Sequence, residues 1–173
     1  MFWGKRSYRE VKEGLKPLFP RLWRYCLVMT GSSDRAADLA QSTCLRALEK
    51  CEQFIVGSDL DRWLFRIAKN LWINEMRAEA VRQGGGLHSV DEFDLEDHTT
   101  TVDTGALTKD VLRGVFSLPE AQRMVLALVY IEGYSYREAS DILDIPIGTV
   151  MSRLAAARAK LADRFTHYQR DVV

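Results

Sequence analysis

The chain has 173 residues, 47% of them apolar, with 24 basic and 24 acidic side chains. That length suits one large or two small domains, and the apolar share excludes wholesale disorder. The longest unbroken apolar run, Met124 to Ile131, is far short of the roughly 20 residues a helix needs to cross a bilayer. The opening MFWGKRSYRE carries no signal-peptide apolar region, so a cytoplasmic protein without membrane insertion is expected.

The zero net charge conceals an uneven distribution. Residues 1–82 hold 15 Lys or Arg against 10 Asp or Glu, a balance of +5. Residues 83–108 hold six acids (Asp91, Glu92, Asp94, Glu96, Asp97 and Asp103) and no Lys or Arg, and residues 109–173 hold nine bases against eight acids. Local fields, rather than the total, steer a chain toward a polyanion. Cys26, Cys44 and Cys51 fit no ligand spacing, so they are expected as small apolar residues in a reducing compartment. No metal or cofactor is expected.

Taken in chain order, Leu18 to Met29 reads as a helix ended by Gly31, with Pro17 and Pro20 restricting its start. Asp34 is placed to cap a second helix running to about Cys51. Gly57-Ser58-Asp59 signals a loop. A long helix follows from about Leu60 to Val81, with Leu64, Ile67, Ala68 and Leu71 at helical spacing. From Gln83 to Gly105 three glycines, the acids and three threonines oppose a packed core. The chain thus divides into a domain at 1–82, a flexible acidic linker at 83–106 and a domain at 107–173.

In the last domain, Pro119 and Glu120 suit a first helical turn. Met124 to Ile131 is apolar on every side, which predicts a deeply buried helix, ended by Gly133. Ser135 and Glu138 form a capping box before a short helix with Ala139, Ile142 and Leu143 inward. Asp144 to Pro146 makes a turn, and a final helix sets Val150, Leu154, Ala157 and Leu161 on one face. This sequence of elements is a helix-turn-helix. The fold is expected to be all-α: two small helical domains.

On the long helix of the first domain, Arg62, Arg66, Lys69, Asn70, Asn74 and Arg77 fall on one arc of roughly 140°. Amides and guanidinium groups read base edges, and cations grip phosphates. A charge-rich face is as often plain solvated surface. Just upstream, Phe54 and the loop through Leu60 are candidates to hold an unstacked base. Trp63, Trp72, Leu128 and Tyr130 are expected in the core. With no nucleophile–base pair or metal spacing, no enzyme is expected.

The stretch AADLAQSTCLRALEKCEQF, followed by WLFRIAKNLWINEMR, resembles domain two of the extracytoplasmic-function sigma factors. SLPEAQRMVLALVYIEGYSYREASDILDIPIGTVMSRLAAARAKL resembles domain four of the same family. Each motif alone is moderately specific; the ordered pair is highly specific. The resemblance implies a transcription initiation subunit whose partners are core RNA polymerase, promoter DNA and an anti-sigma factor.

It also implies roles. Asp38, Gln41 and Leu45 fall on the surface that docks on polymerase. Phe54, the loop Ile55, Val56, Gly57, Ser58, Asp59, Leu60 and Asp61, and then Asn70 and Asn74, match the element that captures a flipped base of the minus-ten region. Arg66, Lys69 and Arg77 match holders of adjacent phosphates. Arg123, Ser135 and Arg137 match backbone-contacting positions. Ile147, Gly148, Thr149, Met151, Ser152, Arg153, Ala155 and Ala156 match the helix that enters the major groove at minus thirty-five.

Met151, Ala155 and Ala156 depart from the basic or aromatic residues frequent in the family. That leaves direct readout to Ser152 and Arg153. Ala37 and Ala40 replace the usual Glu and Val of the docking helix. Two other functions fit parts of the sequence. A sigma mimic would titrate an anti-sigma factor without initiating transcription. A helix-turn-helix repressor would leave the first domain without a role.

Overall fold

The computed structural model describes residues 3–82 and 106–170, with side chains described for 5–82 and 111–164. These residues are helices and turns, with no strand among them, and they fall into two compact units. The expected linker lies outside the described residues apart from Ala106, which begins a helix.

The first unit holds three helices: α1 (Trp3–Thr30), α2 (Ser33–Glu49) and α3 (Leu60–Arg82). Helix α1 begins far earlier than its prolines suggest and runs straight through Pro17 and Pro20. Each proline removes one helical donor, but both side chains are exposed, so the loss falls on the solvent side. Packing outweighs it: Val11, Leu22, Tyr25, Cys26 and Met29 are buried along the opposite side. The ring of Tyr25 meets that of Phe65 from α3 at 4.8 Å.

Gly31 ends α1 at φ 72°, a conformation glycine adopts without steric cost. The cap of α2 is Ser32, whose side chain accepts from the Arg35 amide; Asp34, expected as the cap, stands exposed in the first turn. Helix α2 buries Ala36, Leu39, Ala40, Thr43 and Ala47. The small ones among them, Ala36, Ala40, Thr43 and Ala47, leave room for α1 and α3 to pack against it. A 3₁₀ turn at Cys51–Gln53 follows.

The second unit holds α4 (Ala106–Phe116), α5 (Glu120–Leu126), α6 (Tyr136–Leu143) and α7 (Ile147–Arg170). Helix α5 widens into a π turn at Ala127–Ile131, where the Glu132 amide donates to the Ala127 carbonyl at 2.9 Å. Met124 to Leu128 are buried as expected, but Tyr130 and Ile131 are exposed at the end of the apolar run. The capping box is present: Ser135 accepts from the Glu138 amide at 3.2 Å, and Glu138 accepts from the Ser135 amide at 2.7 Å.

All three cysteines are free; Cys26 and Cys51 are buried, and Cys44 is half-buried. Burial, with Cys44 close by, pushes the Cys26 thiol up to about 12, so it stays protonated and unreactive at neutral pH. Among the described residues, no helix is long and apolar enough to cross a membrane.

Candidate nucleic-acid interface

On the first unit, the connection from Phe54 to Asp59 is held at both ends and open in the middle. Phe54 is 4% exposed and packs against Trp63 at 5.3 Å between ring centroids. It therefore supports the loop from beneath and presents no free face to a base, contrary to expectation. Ile55, by contrast, is 75% exposed. Gly57 turns the chain at φ 82°, and its amide donates to the Glu10 carboxylate of α1 at 3.0 Å. Asp59 pairs with Arg62 at 3.2 Å, and Asp61 pairs with Arg21 at 3.1 Å. These two carboxylates organise the loop and the start of α3.

Along α3, the buried residues Leu64, Phe65, Ala68 and Trp72 define one side. The opposite side centres on Asn70, with Arg66, Asn74 and Arg77 within roughly 40° of it; all four are exposed. Lys69 departs from expectation. It is 7% exposed, because its position borders the buried side. Its side chain therefore lies in the interior, not on the exposed face expected of it. Trp63, expected in the core, is half-buried and lies about 20° from Asn70 on the helical wheel, two turns earlier. Its helical angle was the available signal, overridden by the tendency of tryptophan to be interior.

Helix α2 sets Asp38, Gln41 and Leu45 on one exposed face. Beside them, Arg35 bridges Glu75 and Glu79 of α3 at 3.1 and 3.0 Å and lies 4.6 Å from the Trp72 ring centroid. A shallow groove between α2 and α3 runs past Asp38, Ser42 and Leu71. The face is thus a fixed surface with a polar rim.

In the second unit, the helix-turn-helix is tightly built. Asp144 adopts φ 54°, and the Ser140 hydroxyl donates to the Ile145 carbonyl at 2.6 Å. The Pro146 carbonyl accepts from the amides of Thr149 and Val150. Val150, Leu154 and Ala157 are buried, which leaves Gly148, Met151, Ser152 and Ala155 exposed. A Cβ at Gly148 would meet open space. Ile147 is exposed, and Thr149 and Ala156 are half-buried on the flank. Ser152 donates to the Thr149 carbonyl, so its hydroxyl offers a base mainly its lone pairs. Arg153 is half-buried and sits roughly 150° from the centre of the face that Gly148, Met151, Ser152 and Ala155 share. That placement suits the rim of a groove better than the base edges assigned to it.

Ser135 and Arg137 are exposed at the start of α6. Arg123 is not. It is 3% exposed, and its Nη1 donates to the carbonyls of Phe116 and Leu118 at 3.0 and 3.3 Å. Burial lowers its affinity for the proton, and the nearby Glu120 partly restores it. The side chain expected on a phosphate turns inward instead, and Arg123 clamps the α4–α5 connection.

Residues 16–82 match the model of sigma-70 region 2, and residues 111–161 match that of sigma-70 region 4. The chain is 31% identical to the ECF RNA polymerase sigma factor EcfG of Rhodopseudomonas palustris, over 88% of this chain and 83% of that one. It belongs to the ECF RNA polymerase sigma factors. SigW of Bacillus subtilis, another ECF sigma factor, is 27% identical over 91% of this chain and 94% of its own. Among solved structures, the sigma factor RpoE of Bartonella quintana, in complex with the anti-sigma factor NepR, is similar with a TM-score of 0.73. It is 28% identical, over 91% of this chain and 98% of that one. Sigma factors are transcription initiation factors, so the two units of this member serve initiation.

Proposed function

We propose that this sigma factor docks on core polymerase through Asp38, Gln41 and Leu45 and opens the minus-ten region by capturing an unstacked base. The observation that carries this is Asn70, at the centre of an exposed polar face on the helix that follows a loop whose ends are pinned and whose Ile55 stands open. An amide there offers both a donor and an acceptor to a base edge. Trp63, half-buried on the same face, offers a stacking edge that Phe54 does not. Arg66 and Arg77 hold flanking phosphates, and stacking with hydrogen bonding offsets the few kcal/mol that unstacking costs.

The second unit grips the upstream duplex. Ser135 and Arg137 contact the backbone at the start of α6, and α7 enters the groove through Ile147, Gly148, Met151, Ser152 and Ala155, with Arg153 on its rim. The protein performs no chemistry of its own; it acts in the cytoplasm by binding and positioning. Run-off transcription tests this directly. Purified core with the chain initiates from a cognate promoter found by selection, and neither component does so alone. Binding of core or of an anti-sigma factor with no initiation from any selected promoter would favour the mimic.

The likeness to the Bartonella quintana protein, solved with its anti-sigma factor, supports an anti-sigma partner here as well. That partner is expected to compete with core for the α2 face. In a pull-down with tagged core, added partner displaces the chain; a stable complex of all three would contradict the competition.

A further inference from the structure

The exposed side of α7 is short of the groups that read bases by hydrogen bonding. From Ile147 to Ala155, Val150 and Leu154 are buried, and Arg153 is half-buried on the far side. Gly148 and Ala155 have no polar side chain. Thr149 is half-buried, and Ser152 donates its proton to the Thr149 carbonyl at 3.1 Å. The next exposed cation along the helix is Arg158, three residues past Ala155.

What the open side offers is apolar bulk. Ile147 is 46% exposed and Met151 is 52% exposed. With Ala155 they recur at spacings of four, which sets the three within an arc of roughly 80°. The centre of the face falls between Gly148 and Ala155, and a Cβ at Gly148 would meet open space. Met151 and Ser152 therefore flank a shallow strip. A single exposed apolar residue is ordinary surface. Two on successive turns, at the amino-terminal end of the helix assigned to the groove, are the large groups that base edges meet there.

We propose that Ile147 and Met151 specify the upstream element by contact with thymine C5-methyl groups. This rests on the reading that α7 enters the upstream major groove. The thymine methyl is the one apolar feature of the major-groove edges; the others are hydrogen-bond donors and acceptors. Ala155 and Gly148 let the edges approach, and the unbranched, polarisable Met151 side chain fits against a methyl in more than one position. The row from Ile147 to Ala155 is about 12 Å long, comparable to three or four base pairs. The element it selects depends on thymine and not on guanine.

The test measures binding of preassembled holoenzyme to a promoter found by selection, in three forms. One is unaltered, one has deoxyuridine for every thymine of the upstream element, and one has that element scrambled. Deoxyuridine removes the methyl and keeps the pairing and the O4 acceptor. The parent is expected to bind the deoxyuridine form about four-fold more weakly for each methyl contacted. A combined Ile147→Ala, Met151→Ala variant is expected to lose most of that difference, with circular dichroism checking its fold. Met151→Leu keeps the apolar bulk and is expected to retain the difference. Equal binding of the parent to the thymine and deoxyuridine forms overturns the proposal. So does an undiminished difference in the combined variant, or a selected element made of G·C pairs alone. Scrambling without effect on the parent would remove the reading of α7 in the groove, and the proposal with it; scrambling that weakens binding while deoxyuridine does not would remove the proposal alone.

Discussion

Arg123→Ala is expected to melt the second unit about 10–20 °C below the parent and to leave the first unit's transition in place. The side chain is buried and ties the carbonyls of Phe116 and Leu118 to α5. Hydrogen bonds from a charged group contribute about 1.5–3 kcal/mol each, and a carbonyl left buried without its donor adds a desolvation cost. A net loss of about 3 kcal/mol is large for a unit this small, where each kcal/mol moves the midpoint by about 4–8 °C. Arg123→Lys is expected to fall between the two, because an ammonium lacks the planar fork. Thermal unfolding of the full chain by calorimetry checks it. An unmoved midpoint with a flattened salt dependence of DNA binding would return Arg123 to the phosphates.

Arg123 also shows where sequence alone falls short. Its place in the Leu-Pro-x-x-x-Arg motif is legible, but a motif arginine can clamp the protein or face DNA, and only burial separates the two. Lys69 is the same case on a smaller scale: its helical angle lies at a border, and neighbouring packing decides which way it turns. Phe54 and Trp63 exchange expected roles because both are large aromatics close in sequence, and only the tertiary contact shows which lies beneath. The π turn at Ala127–Ile131 leaves no periodic trace in an unbroken apolar run. Local chemistry was readable where it is self-contained. The Ser135–Glu138 capping box, the turn at Asp144 and the inward face of Val150, Leu154 and Ala157 all depend on residues within a few positions of one another. The length of α1 is not legible in its own sequence because proline opposes a helix locally, while the burial that outweighs it comes from α2 and α3.

The other large effect belongs to Asn70. It is exposed, so replacing it leaves the packing of α3 intact, and the docking face on α2 is separate from it. Asn70→Ala is therefore expected to assemble with core as the parent does. What it loses is the amide that pairs with an extruded base. A good bidentate base contact is worth about 1–3 kcal/mol, which corresponds to a roughly five- to 150-fold loss in the equilibrium for opening. Asn70→Asp is a useful companion: it keeps the shape and the acceptor but removes the donor and adds a charge beside phosphates, so it is expected to open promoters no better than alanine.

The most direct measurement is strand opening at the minus-ten region in preassembled holoenzyme. It is read by permanganate reactivity of the exposed thymines, for the parent and for Asn70→Ala, at equal occupancy of core. The account predicts reactive thymines with the parent, a loss of most of that signal with Asn70→Ala, and its return when the same promoter carries a pre-melted minus-ten mismatch. Equal reactivity of parent and variant on fully paired DNA would contradict it.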